Sequence, residues 1–573
     1  MNTRSRIVSA STTRRGALGV LGGGFAVLGG GLPASARAER PARFDWGVAS
    51  GDPRSDSIVL WTRAVPDDGA LTLTVGFELA EDEGFSRIVR QGAAETSAAR
   101  DYTVKLDVRG LAAGRTYFYR FQAGDAVSTI GRTRTLPASG NAPVRLALAS
   151  CANYVSGFYN AYREIAALDD LDAVIHVGDY IYEYGQDGYD GATGRRIGRL
   201  LDPPHEIVSL ADYRARFALY RRDPDLQAAH AAAPFITIWD DHETANNSWT
   251  GGAGNHDEDT EGRWQARRDA ALSAYFEWMP MRDPEPGNAA ERLNRVYDFG
   301  SVGTVLVIET RLTGRDLQLD YETDMPMLDG VPDFARFERD VLGDPSRSMM
   351  GAAQEAWLAG QLRASRERGV TWQILANQTV MAQMRSPDFM TLFPEDVVTA
   401  TLQSGDYAAR WLERSRLGLP VGLDSWDGYP AARTRLYDAA RAADANLVVL
   451  SGDSHLFWAN DLHHPADGGL VGVEFGTTGI TSPTGYSYIS GDKDTIYAIA
   501  QRALVETNAD VRFSNVRDRG FILVTATQDT VEADYIGVST VETRDYTAGS
   551  VLKVRSRAGA DGAGVSALEQ IPG

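Results

Sequence analysis

One unit recurs through this sequence and limits what it can build: a short apolar strand that stops at side chains able to ligate a metal. Ala147-Leu148-Ala149-Ser150 runs into Cys151, and Val174-Ile175-His176-Val177-Gly178 runs into Asp179, with Tyr180 and Tyr182 close behind. Ile236-Thr237-Ile238-Trp239 ends at Asp240-Asp241-His242-Glu243, Ile374-Leu375-Ala376 at Asn377-Gln378, and Val448-Val449-Leu450-Ser451-Gly452 at Asp453-Ser454-His455. The strands are expected over 145–150, 173–177, 235–239, 304–308, 372–376 and 446–450, and helical periodicity occupies 159–168, 264–278, 354–366 and 433–443. Strands alternating with helices predict an α/β sheet, in which ligands gather beyond the C-terminal ends of the strands. If the strands are neighbours in one sheet, the five clusters meet along one edge. Late β-rich segments at 520–526 and 533–539 predict antiparallel closure of the sheet.

The clusters offer a thiolate, carboxylates, a phenol, amides and an imidazole. Carboxylates with imidazole and phenolate suit a hard, highly charged ion such as ferric iron, whereas carboxylate and amide oxygens suit Ca²⁺, Mg²⁺ or Mn²⁺. In Gly178-Asp179-x-x-Tyr182 the carboxylate can bridge two cations, and the phenol three residues on can return to the same ion. Asp240-Asp241-His242-Glu243 sets a potential ligand beside an imidazole that can meet a substrate oxygen. Cys151 is the only cysteine, which excludes a disulfide scaffold.

The chain ahead of these units has another texture. From about Phe44 to Pro137, alternating and β-branched runs separated by turn signals predict a small β-sandwich, and Leu111-Ala112-Ala113-Gly114 followed by Arg115-Thr116-Tyr117-Phe118-Tyr119 is like a fibronectin-III turn and strand. Residues 1–38 hold arginines at 4, 6, 14, 15 and 37 and no acid, with a Gly-rich run from Gly16 to Leu32 and the exit Ala34-Ser35-Ala36-Arg37-Ala38. That layout predicts a twin-arginine signal peptide, hence a periplasmic or secreted protein exported folded, and the run is too short and too weakly apolar for a stable membrane anchor. The expected organisation is a signal peptide at 1–38, the β-sandwich at 42–139, a catalytic domain at 143–557 and a mobile Gly/Ala-rich tail at 558–573. With 77 Asp and Glu against 57 Lys and Arg in 573 residues, a basic groove for nucleic acid is excluded.

The pieces Phe44-x-x-Gly47-Val48-Ala49-Ser50-Gly51-Asp52-Pro53, Ser150-Cys151-Ala152-Asn153-Tyr154, Val177-Gly178-Asp179-Tyr180-Ile181-Tyr182, Trp239-Asp240-Asp241-His242-Glu243, Gly351-x-x-Gln354-x-x-Trp357-Leu358 and Ser451-Gly452-Asp453-Ser454-His455 resemble the PhoD-type alkaline phosphatase/phosphodiesterase family. They stand in the family's order from residue 44 to about 540. The resemblance implies an α/β fold, a calcineurin-like metallophosphoesterase β-sandwich flanked by helices, behind a small all-β domain. It implies a ferric ion (Fe³⁺) on Cys151, Asp179, Tyr182 and His455, with Ca²⁺ sharing Asp179. Asp241 and Asp453 are the further Ca²⁺ ligands expected, with Gln378 as another metal ligand and Asn153 as a substrate contact. It places His242 toward the substrate and makes Arg311 a phosphate contact. One departure is Glu309-Thr310-Arg311, where family members often have Asp-Thr-Arg.

Phosphate ester hydrolysis is so slow uncatalysed that positioned charge must supply most of the barrier reduction. The expected mechanism is attack by a metal-bound hydroxide, with His242 steadying or protonating the leaving alkoxide. The same fold also fits a phospholipase D-like or teichoic-acid phosphodiesterase. A non-catalytic periplasmic binding module with a structural metal is the reading from another class, and it leaves Asp241 and His242 without a task.

Overall fold

The computed structural model describes residues 41–285, 289, 292–405, 407–559 and 564–572; the signal peptide expected at 1–38 lies outside them. Among the described residues the apolar strands divide between two large sheets. The first has ten strands and centres on the parallel set Val144–Ala149, Ala173–His176, Phe235–Thr237 and Val48–Gly51. The second has seven strands and centres on Gly303–Val307, Trp372–Ala376, Leu447–Ser451 and Leu470–Gly476, also parallel. The single sheet considered from sequence is thus two, and the strand-end clusters come from both.

Side-chain alternation makes them stack. In Trp372–Ala376, Trp372, Ile374 and Ala376 join the core that holds Leu146, Leu148, Val174 and Ile175 of the other sheet, whereas Leu375 points into a second core. Val448 and Leu450 share the first core, and Leu447 and Val449 the second. A strand has period two, so an uninterrupted apolar run must be covered on both faces. Here one face meets the opposite sheet, and the other meets a layer that includes the helices Gly351–Glu367, Pro430–Ala442 and Lys493–Thr507. The helix Trp264–Trp278 packs on the first core.

The N-terminal sandwich has its own core, yet it is not a separate body. One of its layers is a five-stranded sheet with Thr72–Ala80 and Thr116–Ala123 inside it. The facing strands Val48–Gly51, Ser57–Arg63 and Thr103–Arg109 continue the ten-stranded sheet beyond Phe235–Thr237. Ile58 and Leu60 therefore fill the sandwich core while Trp61 enters the main one. At the opposite edge Arg519–Ala526 closes antiparallel on Val144–Ala149, followed by Thr530–Val538 and Ala548–Arg557.

The tail differs from expectation. Where described, it is docked: Glu569–Gln570 pairs with Ala548–Arg557, buried Leu568 joins the main core, and its backbone N–H donates to Asp461 at 2.9 Å. One apolar anchor and one carboxylate hold a segment whose glycines and alanines suggested freedom.

Candidate metal centre

The strand-end loops are held in an uncommon backbone conformation. Cys151, Asp179, Asp453 and His455 all take the left-handed region, with φ of 57°, 58°, 63° and 59°. Asp and His tolerate it better than most residues; each such position outside glycine still carries strain of order 1–3 kcal/mol. Three buried carboxylates offset it by satisfying the loops' N–H groups. Glu243 accepts from the backbone of Asp179, Tyr180 and Asp240 at 2.5–3.1 Å. Glu474 accepts from Met381 and Ala382 and from the Ser451 hydroxyl. Glu309 accepts from Trp239 Nε1 and from the N–H groups of Arg311, Leu312 and Thr313. The departure from Asp at position 309 thus serves a loop. Gly178 (φ 108°) passes so close to the next cluster that a Cβ there would lie 2.4 Å from the Cβ of Asp240.

One half of the centre mixes sulfur, oxygen and nitrogen. Cys151 Sγ lies 3.4 Å from Asp179 Oδ2, and the Tyr182 hydroxyl lies 3.1 Å from that oxygen and 3.4 Å from His455 Nε2. His455 Nδ1 sits 2.8 Å from the Pro483 carbonyl, which can only accept, so the proton is on Nδ1 and Nε2 turns its lone pair to the cluster. Burial and the facing carboxylates Asp179 and Asp453 push the Cys151 thiol well above its ordinary range. Burial, Asp179 and Cys151 do the same to the Tyr182 phenol. Neither anion forms here at neutral pH without a cation beside it.

The other half is all oxygen. Asp179, Asp240, Asp241 and Asp453 bring one carboxylate oxygen each within 4.8 Å of one another. Among the described residues, Oδ1 of Asp179, Oδ2 of Asp240 and Oδ1 of Asp241 are buried without a hydrogen-bond partner. Burial raises Asp179 and Asp240 well above the usual carboxylate range and lifts Asp453 to about 7. Asp241 is the exception: burial would raise it, but Arg311 and His242 hold it low. Unpaired buried carboxylate oxygens are costly unless a cation meets them. The donors fit two different ions: a thiolate, phenolate and imidazole set for iron, an oxygen cage for a hard divalent cation. Asp179 belongs to both halves.

His242 stands at the mouth of the centre. Its ring stacks on Tyr182, centroids 4.2 Å apart, and its Nδ1 is 2.7 Å from a carboxylate oxygen of Glu183. The other Glu183 oxygen accepts from Asn246 N and Asn255 Nδ2. Burial acts to lower the His242 pKa, but Asp241, Glu183 and Asp179 outweigh it and raise it well above 6.5. Nδ1 is thus committed to Glu183 and Nε2 is the nitrogen left for a ligand. The mouth is a cavity of about 650 Å³ lined by Asp190, Asp241, Asn246 and Asp453, by His242 and His455, and by tyrosines 184, 189, 407 and 488. No Lys or Arg lines it among the described residues.

Of the residues singled out from sequence, Cys151, Asp179, Tyr182, Asp241, Asp453 and His455 come together here, with His242 beside them. Three are placed differently. Arg311, expected to meet phosphate, is fully buried among acids, with Nε on Asp240 and Nη1 on Asp424 at 2.6 Å, and is not part of the mouth. Gln378 has both ends engaged, its oxygen accepting from Thr310 at 2.6 Å and its amide donating to the Ile308 carbonyl at 2.9 Å; it ties two strand ends together. Asn153 is buried with Nδ2 unpartnered among the described residues, also outside the mouth. Sequence reasoning named Asp240 within its strand-end cluster but assigned the metal to Asp241 next to it, and it passed over Glu183 and Asp424. An acid directly after Tyr182 was the available sign for Glu183; Asp424 sits outside any strand-end cluster and left none.

Comparison with known proteins follows the same outline. Residues 146–535 match the family model described as PhoD-like phosphatase, and residues 31–137 match that of the PhoD-like phosphatase N-terminal domain. Alkaline phosphatase D of Bacillus subtilis (strain 168) is 35% identical over 505 residues, covering 86% of this chain and 77% of that protein. A solved structure of PhoD superposes with a TM-score of 0.73 at 31% identity, covering 94% of both chains.

Proposed function

This chain belongs to the PhoD-like phosphatase family and is a phosphoric ester hydrolase; on that premise we propose that it is a secreted enzyme that depends on iron and calcium. The observation that carries the metal dependence is the lining of the mouth. A phosphate ester is an anion, and the mouth presents Asp190, Asp241 and Asp453. The Arg311 guanidinium is buried behind Asp241 and Asp453 at 3.6 and 3.8 Å, which leaves His242 as the basic group facing the cavity, so cations in front of those carboxylates would supply the attraction. Cys151, Tyr182, His455 and Asp179 would hold iron, and Asp179, Asp240, Asp241 and Asp453 would hold Ca²⁺. Cations bound there would polarise a phosphoryl oxygen and bring the pKa of water toward neutrality. Asp179 keeps the two halves in one frame. Glu183 fixes the His242 ring, and His242 Nε2 holds the proton that the departing alkoxide needs. Water is the nucleophile in this reading.

Export folded by the twin-arginine machinery agrees with an iron site assembled from three distant stretches of chain, because only a folded chain presents it. No helix among the described residues is long and apolar enough to cross a membrane. The test uses protein purified after native export. A Ca²⁺-selective chelator should remove activity while the visible iron–thiolate band persists, and Ca²⁺ should restore it where Mg²⁺ does not. Activity that survives chelation, or returns equally with Mg²⁺, defeats the calcium assignment.

Cations at the two halves would meet a monoester dianion or a diester monoanion, and the preference between them separates two substrate classes. Paired chromogenic mono- and diester substrates measure that preference directly.

A further inference from the structure

A second cavity, about 250 Å³, opens beside the mouth and shares Tyr407, Ala408, Asp453 and Gly485 with it. Its wall is mostly apolar and includes Met384, Trp411, Val421, Leu456, Tyr486 and Ile489. The aromatic part is braced from behind: Trp411 stacks on Phe389 with centroids 5.3 Å apart, and Tyr486 stands edge-on to both at 5.3 and 5.6 Å. The cavity's two acids, Asp424 and Asp453, are both within ion-pair range of Arg311, at 2.6 and 3.8 Å, which fixes its polar end at the metal centre. The hydrolysis described above needs no apolar chamber there. An apolar space of about 150 Å³ already accepts a benzene ring, so this one has room for a ring or a short chain.

We propose that this alcove binds the apolar alkyl or aryl substituent of a phosphate ester whose phosphoryl group sits at the Asp179–Asp453 cluster. The inference rests on the phosphoesterase reading and adds to it the kind of alcohol the enzyme selects. The alcove begins at the carboxylate that the mouth also uses, so a substituent on a phosphoryl oxygen enters it without leaving the protein. Tyr407 and Gly485 line both spaces and form the passage between them. Each methylene taken out of water strengthens binding about fourfold, and partial burial of a six-carbon chain is enough for a clear gradient.

The test uses non-hydrolysable phosphonates and needs no turnover. Methyl-, hexyl- and benzylphosphonate are titrated calorimetrically into the metal-loaded enzyme. Hexyl- and benzylphosphonate should bind at least about tenfold more tightly than methylphosphonate. Val421→Trp, which fills the alcove from a half-buried wall, should collapse that ratio toward one. Trp411→Ala, which removes the wall instead, should weaken benzylphosphonate about fivefold or more. Equal affinities for the three in the wild type, or a ratio that survives Val421→Trp, overturn the alcove and leave the phosphoesterase reading intact. Failure of all three to bind overturns the alcove as well, while loss of turnover on both mono- and diester chromogenic substrates is the separate result that would overturn the phosphoesterase reading.

Discussion

Cys151 is a small buried side chain with two opposite fates, and its neighbours decide between them. Facing Asp179 and Asp453, its thiol holds its proton firmly, and only a cation releases it. Iron held as proposed would give charge-transfer absorption from both the thiolate and the Tyr182 phenolate, so Cys151→Ser should remove the thiolate part, shift the visible band and take away most activity; a variant with band and activity unchanged would make Cys151 plain core. The same reasoning gives a pH dependence. Cys151, Tyr182, Asp179 and Asp240 all sit well above their ordinary ranges, and Asp453 is raised from 3.8 to about 7. Cys151, Tyr182, Asp179 and Asp240 therefore hold protons that a cation bound there would have to displace, whereas Asp241 is already held low by Arg311 and His242. Metal uptake should release protons and tighten as pH rises from 6 to 8, measured by calorimetry in buffers of different ionisation enthalpy; uptake that weakens over that range contradicts the assignment. A carboxyl raised in the folded state stabilises the fold only while protonated, so Asp453's contribution to the metal-free protein is present below pH 4 and lost as pH rises through 7. His242 makes a separate prediction. His242→Ala should keep its metals and lose about 10²–10⁴ in rate, less with an activated leaving group. Glu183→Gln should lose less while retaining the imidazole. Equal losses on activated and unactivated esters would remove the proton-donor role.

At the level of elements, the strands were legible and their turns were not. Apolar runs fixed the strand positions to within a few residues: 372–376 was expected and Trp372–Ala376 is found. The helix Trp264–Trp278 also lies where its periodicity put it. Ile88–Ser97 was not expected as a strand, because Arg90-Gln91-Gly92-Ala93-Ala94 carries little of the β-branched or aromatic signal. Which sheet each strand joins was also unreadable, since a run apolar on both faces states that it is buried without naming its neighbours. The left-handed φ of Cys151 had no sign at all, cysteine being a residue that seldom takes it. Strand position and donor chemistry marked the candidate clusters, and the family resemblance supplied the assignment of residues to each ion. Gln378 and Arg311 lie behind the mouth, and strand-end polarity does not reveal whether a side chain faces the site or laces the loops together. Gly178 joins the two levels. Gly178→Ala puts a methyl group against Asp240 at positive φ, and should cost about 1–3 kcal/mol of stability with weakened metal binding. Equilibrium denaturation and metal analysis on one preparation measure both; unchanged values would show that the two loops move apart freely.

Across the whole molecule, the boundary near residue 140 separates two patterns of sequence without separating two bodies. Trp61, on an N-terminal strand, is buried in the main core, with Nε1 donating to the Glu277 carbonyl at 2.8 Å and its ring 5.6 Å from Trp278. Asp52 is clamped by Arg295 and Arg282 and by the Tyr297 hydroxyl. A chain begun at residue 141 should therefore be insoluble or melt well below the intact protein, and Trp61→Ala should cost about 3–5 kcal/mol. A soluble, active truncation would show that the shared sheet is dispensable. That sheet also sets a clock. Its first strands lie on one side of Val144–Ala149 and its last, Arg519–Ala526 onward, on the other. At 5–20 residues per second, the strand at 144 leaves the ribosome roughly tens of seconds before its partner exists. For that time an apolar edge stands open, and the nascent chain depends on whatever shields it until the C-terminus arrives.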